Sequence, residues 1–188
     1  TAPAAAKPDR FLRDGKPVPF EAAVRSGLSV GVPGLMRTLE AVHRRFGKLP
    51  WASLFAPAIK LAEEGFAVSP RLAALLAASK AENFSAGARA RFFDENDTPI
   101  PAGDVMTNAA YAATLKAIAE KGADAFYSGP IADAIVKAVQ GATSIPGDMT
   151  AADLAGYAAK ERDPVCVDYR ARKICGMGPP SSGAMTVG

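Results

Sequence analysis

Histidine occurs once and cysteine twice in 188 residues, and neither charge sign dominates, with 22 basic against 19 acidic residues. Each shortage removes a class of function. Two cysteines alone make no zinc site. A single histidine, His43, is the one imidazole available to any serine-based dyad. The mild net charge of +3 is spread along the chain, with short clusters such as Arg44-Arg45, and lacks the basic footprint of a nucleic-acid binder. No apolar run approaches the ~18 residues that span a bilayer. Nor do these residues contain the charged, apolar and small-residue regions of an export signal.

What is present is enough for a core. At 49% hydrophobic and 22% charged, the chain can bury one sizeable core and shows no signature of disorder. It opens on Thr1-Ala2-Pro3 and closes on Gly178-Pro179-Pro180-Ser181-Ser182-Gly183 followed by Ala184-Met185-Thr186-Val187-Gly188, a rigid turn feeding an apolar run. A strand beginning at Ala184 needs partners for its backbone, and none follows. The chain therefore reads as a single partial domain, residues 1–188, of a larger protein.

The dominant period is helical. Residues 1–32, with Pro3, Pro8, Pro17 and Pro19, form an irregular lead-in. Over 33–158 the pattern predicts a helical block. Its first helix starts at Pro33 with Leu35, Leu39, Val42 and Phe46 on one face and ends at Gly47. A second runs from Pro50 to Gly65, with Leu54, Ala58, Leu61 and Ala62 on one side. Ser69-Pro70 caps a third through about Ala81, with Leu72, Leu75 and Leu76 inward. Residues 84–106 are looser, with a turn at Asp94-Glu95-Asn96-Asp97 and room for a short strand pair. Further helices follow Asn108, presenting Tyr111, Leu115 and Ile118, and Gly129-Pro130, presenting Ile131, Ile135 and Val139. Thr150-Ala151-Ala152-Asp153 resembles a capping box for a short helix to about Tyr157. The period changes to two only over 164–187, which predicts two or three strands. The fold class is α+β, mostly helical with a small C-terminal β element.

If Arg170-Ala171 is a two-residue hairpin loop, Tyr169 pairs with Arg172 and Cys166 falls opposite Cys175. That is a non-hydrogen-bonded pair with Cα atoms about 4.5 Å apart, at the short end of disulfide reach. A bridge is open to this register. Two reduced core thiols is the plainer reading, because Ala171 is a poor residue for a type I′ turn.

Four catalytic patterns fail on inspection. Gly27-Leu28-Ser29-Val30-Gly31 matches the nucleophile-elbow spacing, but no helix begins directly at Ser29, and His43 lies about 15 Å along the following helix. A triad needs its base in contact with the nucleophile. His43 sits among Arg44, Arg45 and Lys48 at a helix end, where an imidazole serves the last carbonyls. Thr1 could act as an N-terminal nucleophile only at the head of a buried strand, which Thr1-Ala2-Pro3-Ala4-Ala5-Ala6-Lys7-Pro8 is not. Gly31-Val32-Pro33-Gly34 offers amides to an anion but lacks a Walker lysine. These residues supply no catalytic, substrate-binding or metal site, and no cofactor.

A resemblance carries the functional reading further. Gly31-Val32-Pro33-Gly34, Phe46-Gly47-Lys48-Leu49-Pro50-Trp51, the run Pro57 to Phe66, Phe126-Tyr127-Ser128-Gly129, the run Met149 to Tyr157 and Pro179-Pro180-Ser181-Ser182-Gly183 occur in one order. That order and spacing resemble the later part of the large subunit of γ-glutamyltranspeptidases, over nearly the whole chain. The resemblance implies an αββα N-terminal-nucleophile hydrolase sandwich, of which this chain supplies helices and a few strands. It implies a nucleophilic threonine, freed by self-cleavage at the head of the small subunit, that takes the γ-glutamyl group of glutathione and passes it to amino acids, peptides or water. That threonine is not in this chain. Thr1-Ala2-Pro3 resembles the tail of the family's Arg-Glu-x-Ala-Pro segment, whose arginine grips the substrate α-carboxylate from two positions before Thr1. Ser181-Ser182 reads as the turn into a core strand.

The chain is thus expected to be an inactive scaffold whose partner is the small subunit of the same precursor. Apolar faces around Val165, Val167, Ile174 and Val187 are expected to lack cover and to self-associate. By likeness alone, the parent is expected in the periplasm or outside the cell. A glutaryl or cephalosporin-acylase-like parent, a non-catalytic helical interaction module and a serine hydrolase using Ser29 are the competing readings.

Overall fold

Side-chain caps open three of the expected helices. Ser69 Oγ accepts from the Leu72 amide at 3.1 Å, and Asn108 Oδ1 accepts from the Tyr111 amide at 3.0 Å. Thr150 and Asp153 form both halves of a capping box, the acid replacing the usual glutamate. Gly122 closes the helix after Asn108 in a left-handed conformation, φ 76°, with the Glu40 carboxylate so near that any Cβ there would meet Oε1 at 2.8 Å.

The computed structural model describes residues 1–187, and their contacts divide into a unit spanning Thr1–Tyr157 and a second beginning at Ala158. The first unit runs β1 (Leu12–Arg13), β2 (Lys16–Pro17), α1 (Phe20–Val24), α2 (Leu35–Phe46), α3 (Ala56–Glu64), β3 (Phe66–Ala67), α4 (Pro70–Ala77), α5 (Ala86–Phe92), β4 (Val105–Met106), α6 (Ala109–Lys121), α7 (Asp124–Tyr127), α8 (Pro130–Gln140) and α9 (Ala151–Ala155). β1 pairs with β2, and β3 with β4, both antiparallel. The second unit holds β5 (Val165–Tyr169), β6 (Arg172–Gly176) and α10 (Gly183–Val187).

The main core of the first unit gathers Val32, Ala123, Tyr127, Ala132, Val139, Met149 and Leu154, with Met36, Phe126, Ile135 and Tyr157 packed against it. A smaller cluster joins Leu76, Ala81 and Phe93. Trp51 ties the 3₁₀ turn Trp51–Phe55 to α6 by donating Nε1–H to the Ile118 carbonyl at 3.0 Å. Lys116 and Glu63 pair between α6 and α3.

The structure corrects several expectations. The lead-in contains the β1–β2 hairpin, α1 and a 3₁₀ turn at Gly27–Ser29. α2 starts at Leu35, not Pro33, since Gly34 occupies the cap. Its one-sided apolar stripe is exposed: Leu35 and Phe46 are 63% and 65% exposed, and Leu39 and Val42 are exposed too. Leu54, Leu61, Leu75 and Tyr111 are likewise exposed, and the inward side of the Trp51–Glu64 stretch is Trp51, Phe55, Ile59 and Ala62. Periodicity finds an apolar face but not whether this chain covers it. α4 stops at Ala77, α9 stops at Ala155, and α5 lies within the segment read as loose. There Asp94 Oδ1 accepts from the Asn96 and Thr98 amides, making the expected turn, and the Phe93–Pro99 bridge is its short pairing.

In the second unit the hairpin register is as counted: Tyr169 pairs with Arg172 and Cys166 with Cys175. The thiols are not reduced core groups. They form a disulfide with Cα atoms 4.1 Å apart, and Cys175 is exposed. Only Arg170 in the loop has positive φ, 54°, so Ala171 escapes the left-handed conformation that a type I′ turn demands. Residues 183–187 are not a third strand. The Ser182 carbonyl accepts from both the amide and the hydroxyl of Thr186, closing a helical turn, so Ser181-Ser182 leads into α10. Val165 is exposed as expected, whereas Val167 and Ile174 are half-buried; the expectation for the Val187 side chain lies outside the described residues.

Candidate functional site

The fold commits Ser29 and His43, singled out as catalytic patterns, to backbone carbonyls. Ser29 sits at the end of the 3₁₀ turn, and its hydroxyl donates to the carbonyls of Ser26 at 2.8 Å and Val24 at 3.1 Å. His43 lies in the last turn of α2, and its Nε2 donates to the Leu49 carbonyl at 2.8 Å while the ring meets Trp51 edge-on. This imidazole therefore closes the loop after its helix and serves no nucleophile. The Val32 amide of the candidate anion turn is already taken by the Thr1 carbonyl at 2.7 Å. Among the described residues, no group of three or more histidine, cysteine or acidic side chains could hold a metal ion, and no helix is long and apolar enough to cross a membrane.

What the fold does bring together is a seat for the first residues of the chain. Thr1 is held through its carbonyl by Val32, Pro3 is buried, and the Ala4 amide donates to Asp153 Oδ1 at 2.7 Å. The other carboxylate oxygen of Asp153 accepts from the Thr150 amide at 2.8 Å and hydroxyl at 2.7 Å. One side chain thus caps α9 and pins a segment 149 residues away in sequence. The Ala4 amide first, then the Thr150 hydroxyl and amide, hold the Asp153 carboxyl below the usual carboxylate range, because each bond favours the charged form.

Beneath the seat, the Val30–Pro33 turn is fixed by Tyr127. Its buried hydroxyl donates to the Pro33 carbonyl at 2.8 Å and accepts from the Arg37 amide at 3.3 Å. Tyr157 stacks on Tyr127 with ring centres 5.8 Å apart and planes within 6°. The Arg37 guanidinium lies 4.6 Å from the centre of the Tyr127 ring and pairs with Asp124 at 2.5 Å. Burial pushes the Tyr127 phenol above its ordinary pKa. Gly34 is required here, since a Cβ would stand 2.1 Å from the Tyr157 hydroxyl. Arg10 anchors the lead-in by a two-pronged pair with Asp148, at 2.7 and 2.8 Å, and by donating to the Leu28 carbonyl.

Two of the strings quoted above, Gly31–Gly34 and Met149–Tyr157, therefore hold Thr1–Ala4, and a third, Phe126–Gly129, packs against both through Tyr127. A family profile described as Gamma-glutamyltranspeptidase matches residues 1–188. The chain belongs to the γ-glutamyltranspeptidase family. It is 39% identical to the glutathione hydrolase proenzyme of Arthroderma benhamiae over 188 residues, covering 98% of this chain and 31% of that protein. The crystal structure of Helicobacter pylori γ-glutamyltranspeptidase superposes with a TM-score of 0.90 at 35% identity, covering 99% of this chain and 53% of that one. Cephalosporin acylase from Bacillus halodurans is more distant, with a TM-score of 0.70 at 30% identity over 82% of this chain and 29% of that one. The chain thus spans about a third of the length of the curated relative it matches.

The capping box is legible in the sequence but its partner Ala4 is not, and no local spacing links Tyr127 to Tyr157. A local motif carries its own spacing in the sequence; contacts between Ala4 and Asp153, or between Tyr127 and Tyr157, exist only once the chain has closed.

Proposed function

We propose that this chain is the scaffold part of the large subunit of a γ-glutamyltransferase. The whole enzyme moves the γ-glutamyl group of glutathione to amino acids, peptides or water through a threonyl acyl-enzyme. Its nucleophile belongs to the small subunit of the same precursor, and its parent fold is the αββα N-terminal-nucleophile sandwich. The chain alone is inactive. The observation that carries this reading is that two family strings bond Thr1–Ala4, with a third packed behind them through Tyr127; in the family this segment follows the carboxylate-gripping arginine.

In this reading Asp153, Val32 and Tyr127 are positioning residues, because the arginine's aim depends on how Thr1–Ala4 is held. A bidentate clamp loses much of its binding when displaced by about 1 Å. Asp153→Asn in the full precursor is expected to raise KM for a γ-glutamyl donor several-fold with a smaller change in kcat, the mark of weakened ground-state positioning. An unchanged KM rejects the role of the seat. The closer superposition on a γ-glutamyltranspeptidase than on the acylase favours an α-amino dicarboxylate donor over a glutaryl one.

The exposed stripe Leu35, Leu39, Val42 and Phe46 marks a face for the rest of the precursor. Without it, the same face drives the isolated chain to self-associate. The periplasm or extracellular space is the compartment proposed for the parent, and the disulfide is consistent with it.

A further inference from the structure

The Cys166–Cys175 bridge lies on the solvent side of its hairpin. In the observed register Cys166 and Asp168 on β5 share one face with Lys173 and Cys175 on β6, because side chains alternate along each strand. The opposite face carries Val165, Val167 and Ile174, and α10 packs on that side: a Cβ added to Gly176 would stand 2.9 Å from the Ala184 Cβ. Asp168, Lys173 and Cys175 are exposed, whereas Cys166 is half-buried. The two cysteines therefore differ in access. Lys173 is two residues from Cys175 on the same face and stands directly opposite Asp168, which is two residues from Cys166. Arg170 and Arg172 add further positive charge at the hairpin end.

We propose that this bridge is a thiol–disulfide exchange site at which a small anionic thiol adds to Cys175. Exposed disulfides are the labile ones, and access decides which sulfur a thiolate attacks. The excess of cations over Asp168 draws an anionic thiolate to the bridge, and the greater exposure of Cys175 directs it to that sulfur. The incoming sulfur forms a bond to Cys175 Sγ as the Cys166–Cys175 bond breaks. Cys166 leaves with the electron pair as a thiolate and takes up the proton that the incoming thiol released on ionising. A second small thiol attacking the mixed disulfide at the small-molecule sulfur frees Cys175 and releases the oxidised dimer of the small thiol. Two electrons pass from two small thiols to the protein. The proposal rests on the hairpin alone and stands or falls independently of the transferase reading.

The test equilibrates the full chain with reduced and oxidised glutathione at graded ratios, quenches in acid, and maps adducts by peptide mass. The expected result is a species carrying one glutathionyl group on Cys175 with Cys166 as a free thiol, giving way to the dithiol at the most reducing ratios. Lys173→Glu is expected to slow adduct formation by glutathione at low salt and to leave reaction with the neutral thiol 2-mercaptoethanol unchanged. As a check independent of bridge opening, Cys166→Ser is expected to take a glutathionyl group from oxidised glutathione about tenfold faster than Cys175→Ser. An adduct chiefly on Cys166, equal rates for the two serine variants, or a bridge that stays closed at a thiol excess reducing a solvent-exposed reference disulfide overturns the proposal.

Discussion

Asp153 shows how one side chain can hold two distant parts of a fold. Its carboxylate must be charged to serve the Ala4 and Thr150 amides together, and those bonds depress its pKa. The stabilisation is therefore fully present above about pH 4, the ordinary aspartate value, and is lost as pH falls through the lower folded value. Asp153→Asn is expected to cost about 1 kcal/mol in urea unfolding at pH 7 and to flatten the acid limb of the stability profile; an unchanged acid limb refutes the linkage. Tyr127→Phe removes the hydroxyl that joins the Pro33 carbonyl to the Arg37 amide. Two half-buried backbone groups then lose a partner, with an expected loss of about 1 kcal/mol by the same measurement. A variant as stable as the parent chain means that the hydroxyl is not what fixes the turn.

At the scale of elements, α2 separates what a sequence discloses from what it withholds. Its length, its terminal Gly47 and its apolar stripe are legible, because helical period and end residues are local properties. Whether the stripe is covered depends on other chain, and here Leu35, Leu39, Val42 and Phe46 face outward. The same cause misplaces Leu75, expected inward and found exposed. Hairpin register was legible from Arg170-Ala171 by counting, and it placed the cysteines opposite each other; their position on the solvent face was not, since either face of an isolated pair can be the covered one. The end of the chain failed for another reason: Ala184-Met185-Thr186-Val187 is apolar enough for a strand, but the Ser182 carbonyl captures Thr186 and closes a helical turn. These placements predict opposite outcomes for similar substitutions. Leu39→Gln is expected to change the stability of the isolated chain by no more than about 0.5 kcal/mol. Leu154→Ala, at 0% exposure, is expected to cost about 2–5 kcal/mol. Comparable losses at the two sites contradict the assignment of inner and outer faces.

For the whole molecule, two observations fit one role. The first unit builds a well-bonded seat around Thr1–Ala4, and in the dyad-like patterns Ser29 and His43 are each spent on backbone carbonyls. In the proposed reading such a chain supports chemistry performed by other residues. Self-association is expected from the exposed α2 face, and light scattering should show oligomers that Leu39→Gln with Phe46→Gln reduces. The most direct measurement is release of a chromophore from a γ-glutamyl anilide by the purified, helical 188-residue chain across neutral and alkaline pH, with glycylglycine as acceptor. The expected rate equals that of buffer. A rate above buffer that copurifies with the chain and persists after further purification contradicts the scaffold role.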